Sequence, residues 1–310
     1  MKDIKKSNSR VNWLNEEPEY NNLGKEIKDS IINVLKANGI SAKVTYRTKD
    51  IDSLIKKIAR KDSSYDAIHD KVGVRVVAYF KEQMIIIDKL LKASFIDIIV
   101  KREDMSEKLG DSVFGYQSIH YDLCKVENMK EYFCEMQLRT ICQDNWSELS
   151  HELAYKTEIS LPQRITREIN ALSAVFELAD NQFQLIQSLI SELPDTNPIR
   201  ILNHLEKYFY TYLGDCYDKE LSGYFLKNIQ TVYGNESPIN KLDDFIEVNY
   251  ELIKTKVAEN NDSFFFSQPE IIIILERLQN EKYAFIPYWD GLYPHEQLEE
   301  IANIWGTSID

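Results

Sequence analysis

Val72-Gly73-Val74-Arg75-Val76-Val77-Ala78-Tyr79-Phe80 is the densest β-branched run in the chain and reads as a strand. Alternation puts Val72, Val74, Val76 and Ala78 on one face and Gly73, Arg75, Val77 and Tyr79 on the other. An arginine inside so apolar a strand needs a partner, because an unpaired buried guanidinium is costly. Two readings follow. Either Asp70, just ahead of the strand, pairs with Arg75, or Arg75 faces a ligand and leaves Asp70 free as a hard carboxylate for Mg²⁺.

Working outward toward the N-terminus, Ala42–Lys49 also reads as a strand, with Lys43, Thr45, Arg47 and Lys49 sharing a face. Asp50–Lys61 reads as a helix with Asp50 as N-cap. Ile51, Leu54, Ile55 and Ile58 make its apolar stripe, and Ser53, Lys57, Arg60 and Lys61 fall on another face. Two adjacent elements thus present several cations together, and Lys43–Arg75 holds nine Lys/Arg against five acids. A solvated charged surface would look similar, but a small polyphosphate suits so local a basic stretch. Further back, Leu23, Ile27, Ile31, Val34 and Leu35 mark a helix ending near Asn38-Gly39, and residues 1–17 read as a loose polar lead-in.

Toward the C-terminus, Glu82–Lys92 reads as a helix, Phe95–Lys101 as a strand and Glu103–Phe114 as a polar loop. Tyr116–Lys125 and Tyr132–Thr140 read as two more strands. One sets Tyr116, Ser118, His120 and Asp122 on a face; the other sets Phe133, Glu135, Gln137 and Arg139 together. A plain antiparallel pair with a wet outer face gives this alternation too. A carboxylate, an arginine and a histidine beside a basic surface also suit phosphoryl-transfer chemistry. Helices follow at Ile141–Tyr155 and Arg164–Leu193, before a break at Pro194-Asp195-Thr196-Asn197-Pro198. The expected fold is α+β: a mixed sheet of about five strands flanked by helices, then a mainly helical C-terminal domain. The expected division is 1–17 lead-in, 18–195 sheet domain and 196–310 helical domain.

Composition narrows the function classes. The net charge of −13 is uneven: residues 196–310 carry 9 Lys/Arg against 19 Asp/Glu, so that part repels nucleic acid and anionic membrane. No apolar run approaches the roughly 18–20 residues of a membrane span. Met1–Arg10 lacks an apolar signal core, so a cytoplasmic location is expected. Cys124, Cys134, Cys142 and Cys216 lack zinc-type spacing and read as small core residues in a reducing compartment. Tyr208–Tyr212, Phe264-Phe265-Phe266 and Trp289 read as core of the helical domain.

Four segments resemble, in order, the synthetase domain of the RelA/SpoT family. Tyr46-Arg47-Thr48-Lys49 with Ser53 and Lys57 resembles its RxK…S…K segment, and Asp70–Val77 its DxxGxRVV segment. Gly115–His120 resembles the GYxSxH segment, and Glu135–Thr140 the ExQxRT segment. His151–Lys156 is similar to the HxxxYK tail of small stand-alone alarmone synthetases. The match covers roughly residues 20–195 and implies a nucleotidyltransferase-like fold.

The resemblance implies an Mg²⁺-dependent GTP pyrophosphokinase, moving the β,γ-diphosphate of ATP onto the 3′-hydroxyl of GDP or GTP with AMP as product. By position, Arg47 and Arg75 sandwich adenine, and Lys49, Ser53 and Lys57 hold the phosphates. Asp70 binds Mg²⁺, helped by Glu135, which also takes the acceptor's proton. Tyr116, His120 and Gln137 form the acceptor site. Phe114 stands where long family members carry asparagine, which leaves the acceptor open. A tRNA 3′ end and an adenine nucleotide are alternative acceptors, and a catalytically silent nucleotide- or partner-binding module is another reading. His69-Asp70 lacks partner histidines, so no alarmone hydrolysis is expected. Small synthetases are often homo-oligomers, and Arg164–Leu193 offers an apolar stripe that either an interface or intramolecular packing explains. The acidic C-terminal domain suits covering the basic site or docking on a neighbouring subunit.

Overall fold

The valine-rich run becomes the second strand of one mixed sheet in a computed structural model that describes residues 2–61, 64–109, 114–115, 117–155, 162–212, 217–234 and 236–309. The strands are β1 (Ala42–Thr48), β2 (Val72–Ala78), β3 (Ile99–Asp104), β4 (Ile119–Glu127) and β5 (Lys130–Thr140), in the order β1-β2-β5-β4-β3. Among the described strands only the β2–β5 pair is parallel. Parallel neighbours need a long crossover, which the segment between them provides. Helices α1 (Lys2–Ala37), α2 (Ile51–Lys61), α3 (Lys81–Ser94), α4 (Ile141–Tyr155) and α5 (Gln163–Ser191) accompany the sheet. This is the expected α+β arrangement.

Strand alternation carries through to burial. Val72, Val74 and Val76 of β2, Met136 and Leu138 of β5, and Tyr121 and Leu123 of β4 are all buried, while Gly73, Arg75, Glu135, Gln137 and His120 are only partly so. Each fully buried aliphatic side chain contributes roughly 1.5–3 kcal/mol. On the apolar face, α1 crosses β1 and β2 at Gly24, where an added Cβ would stand 2.6 Å from the Tyr46 ring and 2.7 Å from Val72. Only glycine admits that approach. On the same face, Asp88 of α3 accepts hydrogen bonds from Tyr121 and from Arg102 Nε at 2.9 Å.

Several boundaries differ from expectation, β4 for one running Ile119–Glu127 rather than Tyr116–Lys125. The lead-in of residues 1–17 is helical from Lys2, inside α1. Its apolar stripe extends back to Trp13, which is fully buried, and Glu16 is tied to Lys130 at 2.7 Å and to the Tyr65 hydroxyl at 2.8 Å. Lys71 completes that anchor, lying 3.7 Å from the Tyr65 ring centroid and 3.8 Å from Glu16. Burial lowers its pKa. The third strand runs Ile99–Asp104 rather than Phe95–Lys101, because Phe95 closes α3 through a bond from its backbone N–H to the Leu91 carbonyl.

Helix α5 reverses the usual pattern. Its buried residues are Ser173 and Asp180, whereas Leu172, Val175, Leu178 and Phe183 are each about half exposed. Asp180 accepts a 2.6 Å bond from Thr140 at the end of β5, and burial raises its carboxyl pKa. Packing within the chain therefore does not use the apolar stripe of α5 among the described residues.

The chain divides into two compact units, Met1–Leu35 with Ala42–Leu185, and Lys36–Ser41 with Ile186–Asp310. The second is built from α6 (Pro198–Tyr212), α7 (Lys219–Leu226), α8 (Gln230–Tyr233), α9 (Pro238–Glu259), α10 (Ile271–Asn280), α11 (Lys282–Asp290) and α12 (His295–Trp305). Ile271–Leu275 runs through its core beside Phe265, Phe266 and Trp289, while Phe264 is half exposed. Among the described residues, no helix is long and apolar enough to cross a membrane.

Candidate active site

The site grows from the sheet register. One row across the sheet pairs Arg47 with Gly73, Gly73 with Glu135, and Glu135 with Asp122. The next row pairs Thr45, Arg75, Gln137, His120 and Glu103 in turn. Both rows share a face, because they differ by two residues along each strand. Gly73 lies between Arg47 and Glu135 and leaves open space there: a Cβ added to it would meet nothing closer than the Glu135 carbonyl at 3.7 Å.

The basic group is assembled by β1 and α2. Lys49 extends the β1 ladder, its N–H donating to the Lys71 carbonyl at 2.8 Å. Asp50 caps α2 through the Ser53 N–H at 3.0 Å, as its position predicts. That cap sets Ser53, exposed, one turn ahead of Lys57. Lys49 and Lys57 then converge on one oxygen, Oδ2 of Asp70. Burial alone would raise the Asp70 carboxyl, but the two ammonium hydrogen bonds hold it below the usual carboxylate range. Burial also lowers the pKa of Lys49. Oδ1 of Asp70 is buried and has no hydrogen-bond partner among the described residues.

The acid–base group stands on β4 and β5. Glu135 Oε1 lies 3.2 Å from His120 Nδ1, and Gln137 Nε2 donates to Glu135 Oε2 at 3.1 Å. Burial pushes the Glu135 carboxyl up, yet the His120 contact and the Lys57 charge leave it below its ordinary value, against the opposing charge of Asp70. The two carboxylates therefore sense each other across the face.

Arg75 departs from one of its two readings. Its partners are Asp144 at 3.1 Å and Glu148 at 2.6 Å, both on α4, while Asp70 is taken by the two lysines. Asp144 and Glu148 are site side chains that the strand patterns did not single out, whereas Arg139 lies on the face with Glu135 and Gln137 as alternation expects. The signal available for the first two was an acidic pair at i, i+4 opening the helix directly after β5. His69 lies flat on the Phe133 ring, with centroids 3.9 Å apart. Tyr116 falls outside the described residues. Its neighbours are held by α5: Ser173 Oγ donates to the Gly115 carbonyl at 2.7 Å, and Gln117 donates to Glu177 at 2.6 Å. His151 lies exposed at the end of α4, and Lys156 falls outside the described residues.

Among the described residues, no three His, Cys, Asp or Glu side chains gather into a metal cage. Mg²⁺ needs less than a cage, since it keeps several waters and is held through one or two carboxylates and substrate phosphates. Asp70 and Glu135 meet that requirement, and the unpartnered Oδ1 of Asp70 is a hard donor still to be satisfied.

Residues 46–160 match the family model described as the region found in RelA / SpoT proteins. The chain is 26% identical over 156 residues to GTP pyrophosphokinase YjbM of Bacillus subtilis (strain 168), covering 48% of this chain and 73% of that protein. It is 28% identical over 146 residues to GTP pyrophosphokinase YwaC of the same strain, covering 44% and 69%. The crystal structure of small alarmone synthetase 1 from Bacillus subtilis, bound to its product pppGpp, superposes with a TM-score of 0.51 at 23% identity, over 58% of this chain and 99% of that one. Residues 46–160 are thus similar to the region found in RelA / SpoT proteins, and the sheet-bearing part of the chain shares its fold with the small alarmone synthetases.

Proposed function

We propose that this chain is a pyrophosphokinase that transfers the β,γ-diphosphate of ATP to the 3′-hydroxyl of GDP or GTP. The observation that carries the reading is the convergence of Lys49 and Lys57 on Asp70, with one Asp70 oxygen left unpartnered, beside the Glu135–His120 pair. A centre for moving an anionic diphosphate needs cations, a hard carboxylate and a base on one face. The similarity to proteins named GTP pyrophosphokinase, and to a synthetase holding pppGpp, supports the same choice of substrates.

In this reading Arg47 and Arg75 hold the adenine between guanidinium planes, with Arg75 steadied by its two acids on α4. Lys49, Ser53 and Lys57 take the phosphates, whose charge competes with Asp70 for the ammonium groups. Asp70 and Glu135 would hold Mg²⁺, which when bound neutralises phosphate charge. Glu135 accepts the proton of the acceptor 3′-hydroxyl as the new O3′–Pβ bond forms. The bond between Pβ and the oxygen bridging it to Pα breaks, and AMP leaves with that oxygen. Tyr116, His120 and Gln137 place the acceptor. Positioning and charge supply most of the rate.

ATP and GTP as substrates imply the cytoplasm, and free Cys124, Cys134 and Cys142 agree with a reducing compartment. The apolar residues exposed along α5 support a second copy of this chain as a further partner.

Incubation with β-labelled ATP and Mg²⁺ beside GDP, GTP, ATP or bulk tRNA tests the acceptor. Label is expected on GDP or GTP. Label on tRNA alone would transfer the same chemistry to a polynucleotide end and overturn the acceptor assignment. Label on no acceptor at all, from folded protein, would leave a nucleotide-binding module without catalysis.

A further inference from the structure

Arg139 is a charged residue with only 4% of its surface exposed, and it meets the Gln137 amide, one of the groups assigned to the acceptor. Each of its three nitrogens donates a hydrogen bond. Nη2 donates to Gln137 Oε1, Nη1 to Asp144 Oδ1 at 3.2 Å, and Nε to Ser118 Oγ at 3.4 Å. Ser118 is itself fixed, its hydroxyl donating to the Leu138 carbonyl at 3.2 Å. The same Asp144 oxygen lies 3.1 Å from Nη1 of Arg75. A single run of polar contacts therefore passes from Arg75 through Asp144, Arg139, Gln137 and Glu135 to His120.

The chemistry of these groups gives the run a direction. A guanidinium can only donate, so Gln137 must turn its carbonyl oxygen toward Arg139. Its NH₂ then has to face the other way, onto Glu135 Oε2. Glu135 is left with one oxygen held by Gln137 and the other by His120, so its carboxylate plane is set from both sides. A glutamine without the arginine would be free to flip and offer Glu135 an oxygen, replacing a hydrogen bond with repulsion. Asp144 supports this from behind. It is the anionic partner that makes the buried Arg139 charge tolerable, and it shares its oxygen with the arginine on the other side of the face.

We propose that Arg139 and Asp144 are positioning residues for diphosphate transfer: Arg139 sets the amide orientation of Gln137 and thereby the aim of Glu135, and Asp144 ties that setting to Arg75. The proposal rests on the transfer reading above, because it concerns the aim of that base. It adds two residues whose contribution is made through others and not by touching either nucleotide.

A double-mutant cycle separates positioning from general support of the fold. Arg139→Lys keeps the charge beside Asp144 but loses the planar fork that reaches Gln137. It is expected to lower kcat by roughly 10- to 100-fold, the loss typical of a misplaced reacting group, with the circular dichroism spectrum retained. In a Gln137→Ala background the same change is expected to lower kcat no further, because the amide it orients is gone. Equal losses in both backgrounds would overturn the proposal, since a purely structural arginine costs the same with or without its neighbour. If Arg139→Lys does not fold, Asp144→Asn enters the same cycle with the same two expected outcomes, read in kcat at saturating ATP so that its contact with Arg75 falls on KM for ATP.

A readout independent of activity keeps this apart from the function assignment. The Gln137 side-chain NH₂ resonances, identified by their loss in Gln137→Ala, are expected to move in Arg139→Lys or, where that variant does not fold, in Asp144→Asn. Should the wild type transfer no label, the transfer reading fails while the amide orientation is still judged by these resonances. Unmoved resonances would overturn the proposal whatever the activity.

Discussion

Replacing Glu135 by glutamine is expected to lower diphosphate transfer by roughly 10³-fold, within the range that a positioned general base supplies, with nucleotide binding changed far less. The substitution keeps the length of the side chain and an oxygen to face Gln137 or His120, so the fold around β5 is preserved. What it removes is the anion. Glu135 is held below its ordinary pKa by His120 and Lys57 despite its burial, which keeps it ready to accept a proton. In the proposed reaction a neutral amide accepts no proton from the acceptor hydroxyl at working pH, and it would lack the charge with which Glu135 would help Asp70 hold Mg²⁺. Transfer rates under saturating substrates and equilibrium binding of an ATP analogue separate the two effects. Retention of activity within tenfold would remove Glu135 from the base role.

A second large effect lies in the helical unit. Glu270 at the start of α10 is fully buried, with Oε2 accepting from Ser222 at 2.6 Å and Oε1 without a hydrogen-bond partner among the described residues. Burial, reinforced by the charge of Asp218 and opposed by the Ser222 bond, pushes its carboxyl pKa up to about 7. The folded unit thus keeps a proton that the unfolded chain releases above its ordinary value of 4.5. Stability from this group is complete below that value, falls as pH rises toward 7, and stays reduced above it. Glu270→Gln carries no such penalty. At pH 8 it is expected to exceed the wild type by up to about 3 kcal/mol, and at pH 4 to match it. Hydrogen exchange of the α10 amides, compared between variant and wild type at each pH, reads the difference. A gap independent of pH would mean that folding leaves the Glu270 pKa at its ordinary value.

Much of the fold could be read from local pattern because its causes are local. The strand period separated Gly73 and Arg75 from Val72, Val74 and Val76, and this division survives in the burial of β2. Asp50 as a cap and Ile141–Tyr155 as a helix likewise depend on neighbours within a few residues. The points misread or left open share the opposite property. The N-terminal helix is secured by Glu16 bonds to Tyr65 and Lys130, and no window of sequence places those residues together. Arg75 pairs with Asp144 and Glu148 rather than with nearby Asp70, because the parallel β2–β5 pairing brings the start of α4 beside it. Helix α5 has the periodicity of a packed helix, yet buries Ser173 and Asp180 and leaves its apolar side exposed. Periodicity locates a stripe without saying what covers it.

The candidate site follows the same division. Placing Arg47, Lys49, Lys57, Asp70, Arg75, His120, Glu135 and Gln137 on elements of one sheet face needed only strand alternation and the family's motif order. What the motifs could not supply were the connections: two lysines on a single Asp70 oxygen, and Arg139 turning an amide toward Glu135. These depend on side-chain reach across strands that are far apart in sequence.

The decisive measurement is the stoichiometry of AMP against labelled acceptor when the protein is mixed with β-labelled ATP, Mg²⁺ and GTP. One AMP formed for each GTP that gains a labelled 3′-diphosphate is the predicted result, with both products lost together in Glu135→Gln. Formation of ADP, or of free labelled phosphate with unmodified GTP, would contradict it and show a different phosphoryl chemistry on this sheet face.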